Sequence, residues 1–335
     1  MKLLFIGGTG RISTAITKLC VAMGHQVYLL NRGVRGVIDG AIHLQGDIND
    51  EAHVAALVKN HTFDAVANFI NYTPDQIERD IRLFAGRTAQ YIFISSTAAY
   101  QKPFSYYRIT ESTPLANPYW QYARDKIACE NRLMDEYRAS GFPATIVRPS
   151  HTYDRHVVPV SIYGEKGQWQ VLKRMLAGKP VLVHGDGLSL WTVTHADDFA
   201  KGFVGLLGNI QSRGEAVHIT SDESLTWNQI YTLIGGALGV APKIYHVASD
   251  FLIAANPAYE GNLLGDKAYS VVFDNSKIKR MVPDFCATVR FDIGVKWAVQ
   301  NYLNTPAMQK DDPAFDLFCD KVITACENAK VWLDV

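Results

Sequence analysis

Short apolar runs separated by amphipathic stretches set the rhythm of the first 150 positions. Lys2-Leu-Leu-Phe-Ile6 is largely apolar and predicts a strand buried in a parallel sheet. Gly7-Gly8-Thr9-Gly10 breaks the run. From Arg11 to Met23, the apolar residues Ile12, Ala15, Ile16, Leu19 and Met23 recur at helical spacing, and Gly24 ends the pattern. Gln26–Leu30, Ala41–Gln45, Asp64–Ile70, Gln90–Ile94 and Ala144–Arg148 predict five further strands. Helical stretches lie between them over Asp50 to Lys59, over Pro74 to Ala85, and from the region of Tyr122 to Arg138. Strands alternating with helices require right-handed crossovers, so the pattern predicts an α/β fold with a doubly wound parallel sheet. Further on, Gly167–Leu176, Thr226–Leu238 and Asp316–Cys326 predict amphipathic helices.

Composition narrows the class. With 335 residues, one large and one smaller domain are expected, and 48% hydrophobic with 20% charged residues is enough for a sizeable core. Lys+Arg and Asp+Glu are both 33, so no global charge draws the chain to nucleic acid or to an anionic membrane. No apolar stretch is long enough to span a bilayer and the N-terminal strand lacks a signal-peptide pattern, so a cytoplasmic protein is expected. The five cysteines are scattered with no CxxC pair or metal-type cluster, which predicts reduced structural thiols and no metal site.

The chemistry begins at the glycine turn. A strand that turns through glycines into a helix points unpaired N–H groups outward, and with the helix dipole these bind phosphate. Gly7, Thr9, Gly10, Arg11 and Ile12 are the candidates, while Ser13 stands where a third glycine would ease helix packing. The second strand ends in Asn31-Arg32-Gly33, where the adenosine ribose would lie. An acid there would select NAD; its absence, with Arg32, Arg35 and Arg11 nearby, tilts the expectation to NADP over NAD. Asp47, in Gly46-Asp47-Ile48, either accepts from the adenine amine or caps a helix. Asn68 and Phe69 close the fourth strand, at the edge where ligands of open sheets bind.

The fifth strand ends in Ser95-Ser96-Thr97-Ala98-Ala99-Tyr100. Beyond it Tyr122 and Lys126 stand four apart, on one helical face. A free phenol, with a pKa of about 10, is a poor base at neutral pH, and a lysine held beside it is expected to lower that value. Strand-end serine, Tyr–Lys helix and N-terminal glycine turn together resemble the extended short-chain dehydrogenase/reductase superfamily, its branch of NAD-dependent epimerases and dehydratases. Val147-Arg148-Pro149, Val183-His-Gly-Asp-Gly187, Thr194-His195-Ala-Asp197-Asp198 and Phe291-Asp-Ile-Gly carry the resemblance over nearly the whole chain.

The resemblance implies a Rossmann domain (residues 1–152 plus 190–222) and a smaller α+β substrate-capping domain (153–189 plus 223–335). It implies hydride transfer between a nicotinamide cofactor and a hydroxyl-bearing carbon of a sugar or sugar-like substrate, nucleotide sugars included. Tyr122 would be the general base or acid, Lys126 its electrostatic partner, and Ser96 a donor to the substrate oxygen. Pro149 and Ser150 would join Phe69 at the nicotinamide, and homodimerisation is expected through helices near Arg79–Gly86 and Pro118–Tyr137. Thr97, His151, Tyr153 and Trp191 are the candidate substrate contacts. Two departures stand out. Dehydratases carry an acidic pair where Thr97-Ala98 follow Ser96, which disfavours sugar dehydration. Trp191 lies where nucleotide-sugar enzymes place an arginine for the diphosphate, and an indole cannot make that contact. Chloroplast stem-loop RNA-binding proteins also resemble this branch, around Arg32-Gly33, so a non-catalytic, RNA-binding or NADP-sensing relative is the alternative.

Overall fold

The computed structural model describes residues 1–34 and 36–331, so Arg35 lies outside the described residues. Its centre is a seven-stranded, wholly parallel sheet: β1 (Lys2–Ile6), β2 (Gln26–Asn31), β3 (Ile42–Gln45), β4 (Ala65–Asn68), β5 (Tyr91–Ile94), β6 (Ala144–Pro149) and β7 (Glu215–Ile219), in the order β7-β6-β5-β4-β1-β2-β3. The order reverses at β1, and the crevice beside its carboxyl end is where such sheets bind ligands. In register, Ile6 stands opposite Leu30 of β2 and Asn68 of β4, so Gly7 emerges at that crevice. The six strands expected from the sequence are present with ends moved by a residue or two. β7 escaped notice because Glu215 and His218 break its apolar run.

Helix α1 (Arg11–Ala22) shows how tertiary structure overrides a hydrophobic stripe. Its fully buried face is Ser13, Ile16, Thr17 and Cys20, one step out of phase with the apolar pattern. The two hydroxyls turn inward because they have partners there: Ser13 Oγ donates to the carbonyl of Gly7 (2.8 Å) and Thr17 Oγ1 to that of Gly8 (2.9 Å). Ser13 Oγ also accepts from the amide of Gly10 (2.8 Å), so the residue that replaces a third glycine staples the turn. A Cβ on Gly8 would meet Leu29 Cδ2 at 2.5 Å, and it is this glycine that lets the turn lie close to the sheet. Burial pushes the thiols of Cys20 and Cys129 up to about 12, which leaves them unreactive packing groups.

Helices α2 (Glu51–Val58), α3 (Pro74–Phe84) and α4 (Gln121–Ser140) cover one face of the sheet, and α1 with α6 (Ala196–Leu206) covers the other; α5 (Trp169–Leu176) lies outside it. A third core gathers α5, α7 (Trp227–Leu238), α8 (Phe291–Asn304) and α9 (Pro313–Val331) with Tyr100 and Ile109 from the segment after β5. In the other direction, Ile278 and Phe285 return to the core of the sheet. The chain thus crosses between the cores more often than its linear pattern shows.

One clamp holds α9. Arg174 of α5 is fully buried and pairs with Asp316 (2.7 Å) and Asp320 (2.8 Å), and Lys179 joins both. Burial raises each carboxyl, but hydrogen bonds from Lys179 and Arg174 outweigh it and hold both below the usual carboxylate range. A folded value below the unfolded one means that the clamp stabilises fully above about pH 4 and is lost as pH falls through the folded value. Hydrogen exchange in α9, corrected for intrinsic rate, is therefore expected to accelerate on acidification ahead of exchange in β1. Equal protection of the two elements at every pH would remove the clamp.

Candidate active site

A cleft of about 800 Å³ runs along the carboxyl edge of the sheet from the end of β2 to the start of α4. Gly7, Thr9, Gly10, Arg11 and Ile12 line its middle, Asn31, Arg32, Asp47 and Ile48 one end, and Phe69, Tyr122, Lys126 and Pro149 the other. Asp47 is free of the capping role, which Asp50 takes by accepting from the amide of His53 (3.0 Å).

The residues at the first two of these places fit a dinucleotide. Helix α1 opens on Gly10 with no side chain capping its first amides and no acid in its first turn, so its N-terminal charge faces the cleft. Gly7 has φ +77°, and a Cβ there would meet Ile70 Cγ2 at 2.6 Å. Asn31 Oδ1 accepts from the amide of Gly33 (3.0 Å), leaving a buried Nδ2 with no partner at the position expected for a ribose. Arg11 and Arg32 reach the cleft as exposed cations.

At the far end, Lys126 is only 3% exposed and its ammonium donates to the carbonyls of Asn71 (2.5 Å) and Ile94 (2.8 Å). Burial pulls it down to about 8, still mostly charged at neutral pH. The ammonium stands 5.8 Å from the centre of the Tyr122 ring. Contrary to the sequence expectation, the phenol is not softened: burial pushes it up to about 12, opposed by a hydrogen bond with Ser96. The lysine is spent on two carbonyls and cannot offset the loss of solvent. Ser96 Oγ also accepts from the amide of Ala98 (3.1 Å), which caps the short turn after β5. Ser95 lines the cleft, but its hydroxyl is turned to Glu130, which also grips Arg148 (2.5 and 2.9 Å).

Other expected site residues lie elsewhere. Asn68 faces inward, its amide donating to Asp80 (2.6 Å) and Asn71 (3.0 Å), because the end of β4 tucks beneath α3. Ser150 bonds with Thr194 (2.9 Å), and its neighbour Thr152 reaches the cleft instead. Tyr153 is fully buried between His195 and Phe291. Trp191 stacks on Trp227 (5.8 Å) in the third core, the packing role that a lone aromatic takes most easily. Thr97 is nearly buried in the turn after Ser96. His151 pairs with Val193 through the backbone, and its Nε2 is buried without a partner; burial, with Lys267 and Arg11 nearby, pushes it down to about 3, so the ring is neutral.

Several residues gave no local signal. Tyr72 lines the cleft, its ring 4.6 Å from the Lys126 ammonium. Asp266 is close enough to Tyr122 to raise its phenol further. It belongs to a π-helical turn, Leu263–Lys267, that packs on Trp120, and Asn117 joins that turn to the strand-end turn by donating to Gly265 O (2.7 Å) and Ala98 O (2.8 Å). Only the short distance in sequence from Asn71 to Tyr72 could have flagged any of them.

The chain matches the family model of the NAD dependent epimerase/dehydratase family over residues 3–220. It is 26% identical over 288 residues to 2'-dehydrokanamycin reductase of Streptomyces kanamyceticus, covering 85% of this chain and 80% of that one. It is 25% identical over 261 residues to the chloroplast stem-loop binding protein of 41 kDa b of Arabidopsis thaliana, covering 73% and 65%. Among solved structures, UDP-glucuronic acid 4-epimerase from Bacillus cereus superposes with a TM-score of 0.71 at 16% identity, covering 91% of this chain and 99% of that one. Pal from Bacillus thuringiensis does so with 0.71 at 21% identity, with the same two coverages. These two likenesses speak for the fold. The span matched by the family model reaches all seven strands of the sheet, with the glycine turn and the Tyr122–Lys126 helix, and the protein belongs to the NAD-dependent epimerase/dehydratase family.

Proposed function

We propose that the protein transfers a hydride between a nicotinamide cofactor and a hydroxyl- or keto-bearing carbon of a sugar or sugar-like substrate, and that it works chiefly as a reductase. The observation that carries this reading is that Tyr122 and Lys126 line one end of a cleft whose middle is an uncapped helix N-terminus. When bound, the cofactor supplies or takes the hydride and, once oxidised, a positive charge. The turn at Gly7–Ile12 would hold its phosphates, Asn31 would be available to a ribose, and Phe69 with Pro149 would bound the nicotinamide.

Tyr122, held protonated at neutral pH, is set to give its proton to a carbonyl oxygen. Ser96 donates to the same oxygen and fixes the carbonyl before transfer. Lys126 keeps a positive charge within reach of the phenolate that forms. The phenol as it stands is ready to protonate a carbonyl oxygen, the direction of reduction, and the reverse would run through the same phenolate. The likeness to a reductase of a sugar derivative supports the same direction. Thr97-Ala98 leave no acid–base pair for eliminating water, and Trp191, stacked in the core, makes no diphosphate contact; a substrate that is not a nucleotide sugar suits this site best.

We place the cofactor domain at 1–152 plus 190–222, the capping part at 153–189 plus 223–335, and a dimer on α3 and α4. Five free cysteines suit a reducing compartment such as the cytoplasm, and among the described residues no helix is long and apolar enough to cross a membrane. The net charge of zero gives an RNA-binding reading little to attract a polyanion.

Turnover decides the reading: stoichiometric oxidation of added NADPH with a keto-sugar panel is expected, whereas cofactor that co-purifies and stays bound through turnover would make the protein an epimerase. Arg32→Ala should weaken NADPH binding tenfold or more, about the worth of one exposed phosphate–arginine pair, while NADH changes little. Equal losses for the two cofactors would show that Arg32 does not read a 2′-phosphate.

A further inference from the structure

The chemistry proposed above needs Lys126 charged, yet burial works against its ammonium. What surrounds it is a box. Beyond the carbonyls of Asn71 and Ile94, the ammonium faces the Tyr72 ring (4.6 Å to the centre), Phe93 (4.8 Å) and Tyr122 (5.8 Å). Tyr72 is the outlying wall, 49% exposed and 6.3 Å from Tyr122 ring to ring.

Asn71 and Tyr72 belong to a loop, and that loop is anchored from beneath by a carboxylate with no exposure at all. Asp80 of α3 accepts from Asn71 Nδ2 (2.7 Å), Asn68 Nδ2 (2.6 Å) and the Tyr91 hydroxyl (2.6 Å), and pairs with Arg79 (2.8 Å). Arg79 also donates to Asn71 Oδ1 (2.7 Å) and, across to the cleft-lining Asn49, to its Oδ1 (2.8 Å). Every polar atom of the Asn71 side chain is thus held from the interior, and its backbone carbonyl is left to point at Lys126.

We propose that Tyr72 and Asp80 are positioning residues for Lys126: Asp80 locks the loop, and the loop presents one carbonyl and one aromatic face that keep the ammonium protonated and in place. The proposal rests on the reading of Lys126 as the charge that serves the reacting phenol. A ring face attracts a cation more strongly once the cation is desolvated, as this one is. The other groups facing the ammonium are the Tyr122 phenol, the Cys129 thiol and Glu130 on its own helix, and the backbone end of β5; Asp80 and Arg79 reach it only through Asn71.

The test is a titration of Lys126 itself, by NMR of the full chain labelled at lysine Cε and assigned with Lys126→Arg. It needs no turnover, so it reports on the clamp even where the proposed reaction fails. Tyr72→Leu should shift the Lys126 midpoint to lower pH by about half a unit to one unit, since the charged form loses its ring face. Tyr72→Phe keeps the face and should titrate like the parent. Asp80→Asn should shift it in the same direction as Tyr72→Leu. Should that variant fail to fold, Tyr91→Phe removes one of the bonds holding Asp80 and leaves the packing, and a smaller shift of the same sign is expected. An unmoved midpoint in Tyr72→Leu, or equal shifts in the Leu and Phe variants, overturns the role of Tyr72. A folded Asp80→Asn or Tyr91→Phe protein with the parental midpoint overturns that of Asp80. In an active enzyme the basic limb of the kcat–pH profile should move with the midpoint, which a loss of stability alone would not cause.

Discussion

Tyr122→Phe is expected to lower kcat by about 10²–10⁴-fold, the range for a positioned proton donor, while the affinity for cofactor is unchanged. The phenylalanine keeps the ring that packs against Trp120 (4.9 Å) and Tyr72, so the fold and the cleft should persist. What disappears is the phenolic proton at the reacting end of the cleft. The loss should fall on kcat because the proposed cofactor contacts, the turn and the end of β2, lie far along the cleft. Ser96→Ala should cost less, since Tyr122 still donates. Fluorescence titration of the cofactor with steady-state rates checks both halves. A variant that turns over like the parent would take Tyr122 out of the chemistry.

The second large effect concerns stability. Glu130→Ala should lower the free energy of unfolding by about 3–5 kcal/mol, because it strands a buried guanidinium. Arg148 and Glu130 are 4% and 3% exposed and joined by two hydrogen bonds, and the Ser95 hydroxyl completes the carboxylate's shell. Replacing both partners with apolar groups, as in Glu130→Leu with Arg148→Met, should recover much of the loss, since no charge is then left unpaired. Urea denaturation of the single and double variants measures the difference. A single variant as stable as the parent would mean that solvent reaches Arg148. The pair ties β6 to α4 one turn beyond Lys126, so part of the price of holding the Tyr–Lys helix in place is met here.

Much of this was legible from the linear pattern. The run Lys2–Ile6, the turn at Gly7–Gly10 and the rhythm of later strands are local facts, and they led to the parallel sheet and to the cleft at its carboxyl edge. Tyr122 and Lys126 share a helical face by spacing alone, and both line the cleft. The substrate end was much less legible. Tyr153 and Trp191 carry suitable chemistry, but whether an aromatic residue meets solvent or core depends on what the rest of the chain puts against it. Here that is Phe291 and Trp227, distant in sequence. Asn68 looked like a ligand contact because it ends a strand; Asp80, on the following helix, takes its amide instead.

By its sequence alone this protein was committed to alternating strands and helices, a glycine-rich strand-to-helix turn and a Tyr–Lys pair, because each strand, the turn and the pair arise from residues close together in the chain. Only the tertiary structure decided that the phenol is held protonated, that Lys126 is spent on carbonyls and rings, that Tyr72 lines the reacting end, and that Asp266 acts on Tyr122 from a turn packed on Trp120. The physical reason is that a proton's affinity depends on desolvation and on charges brought in from far along the chain, and no local pattern records either.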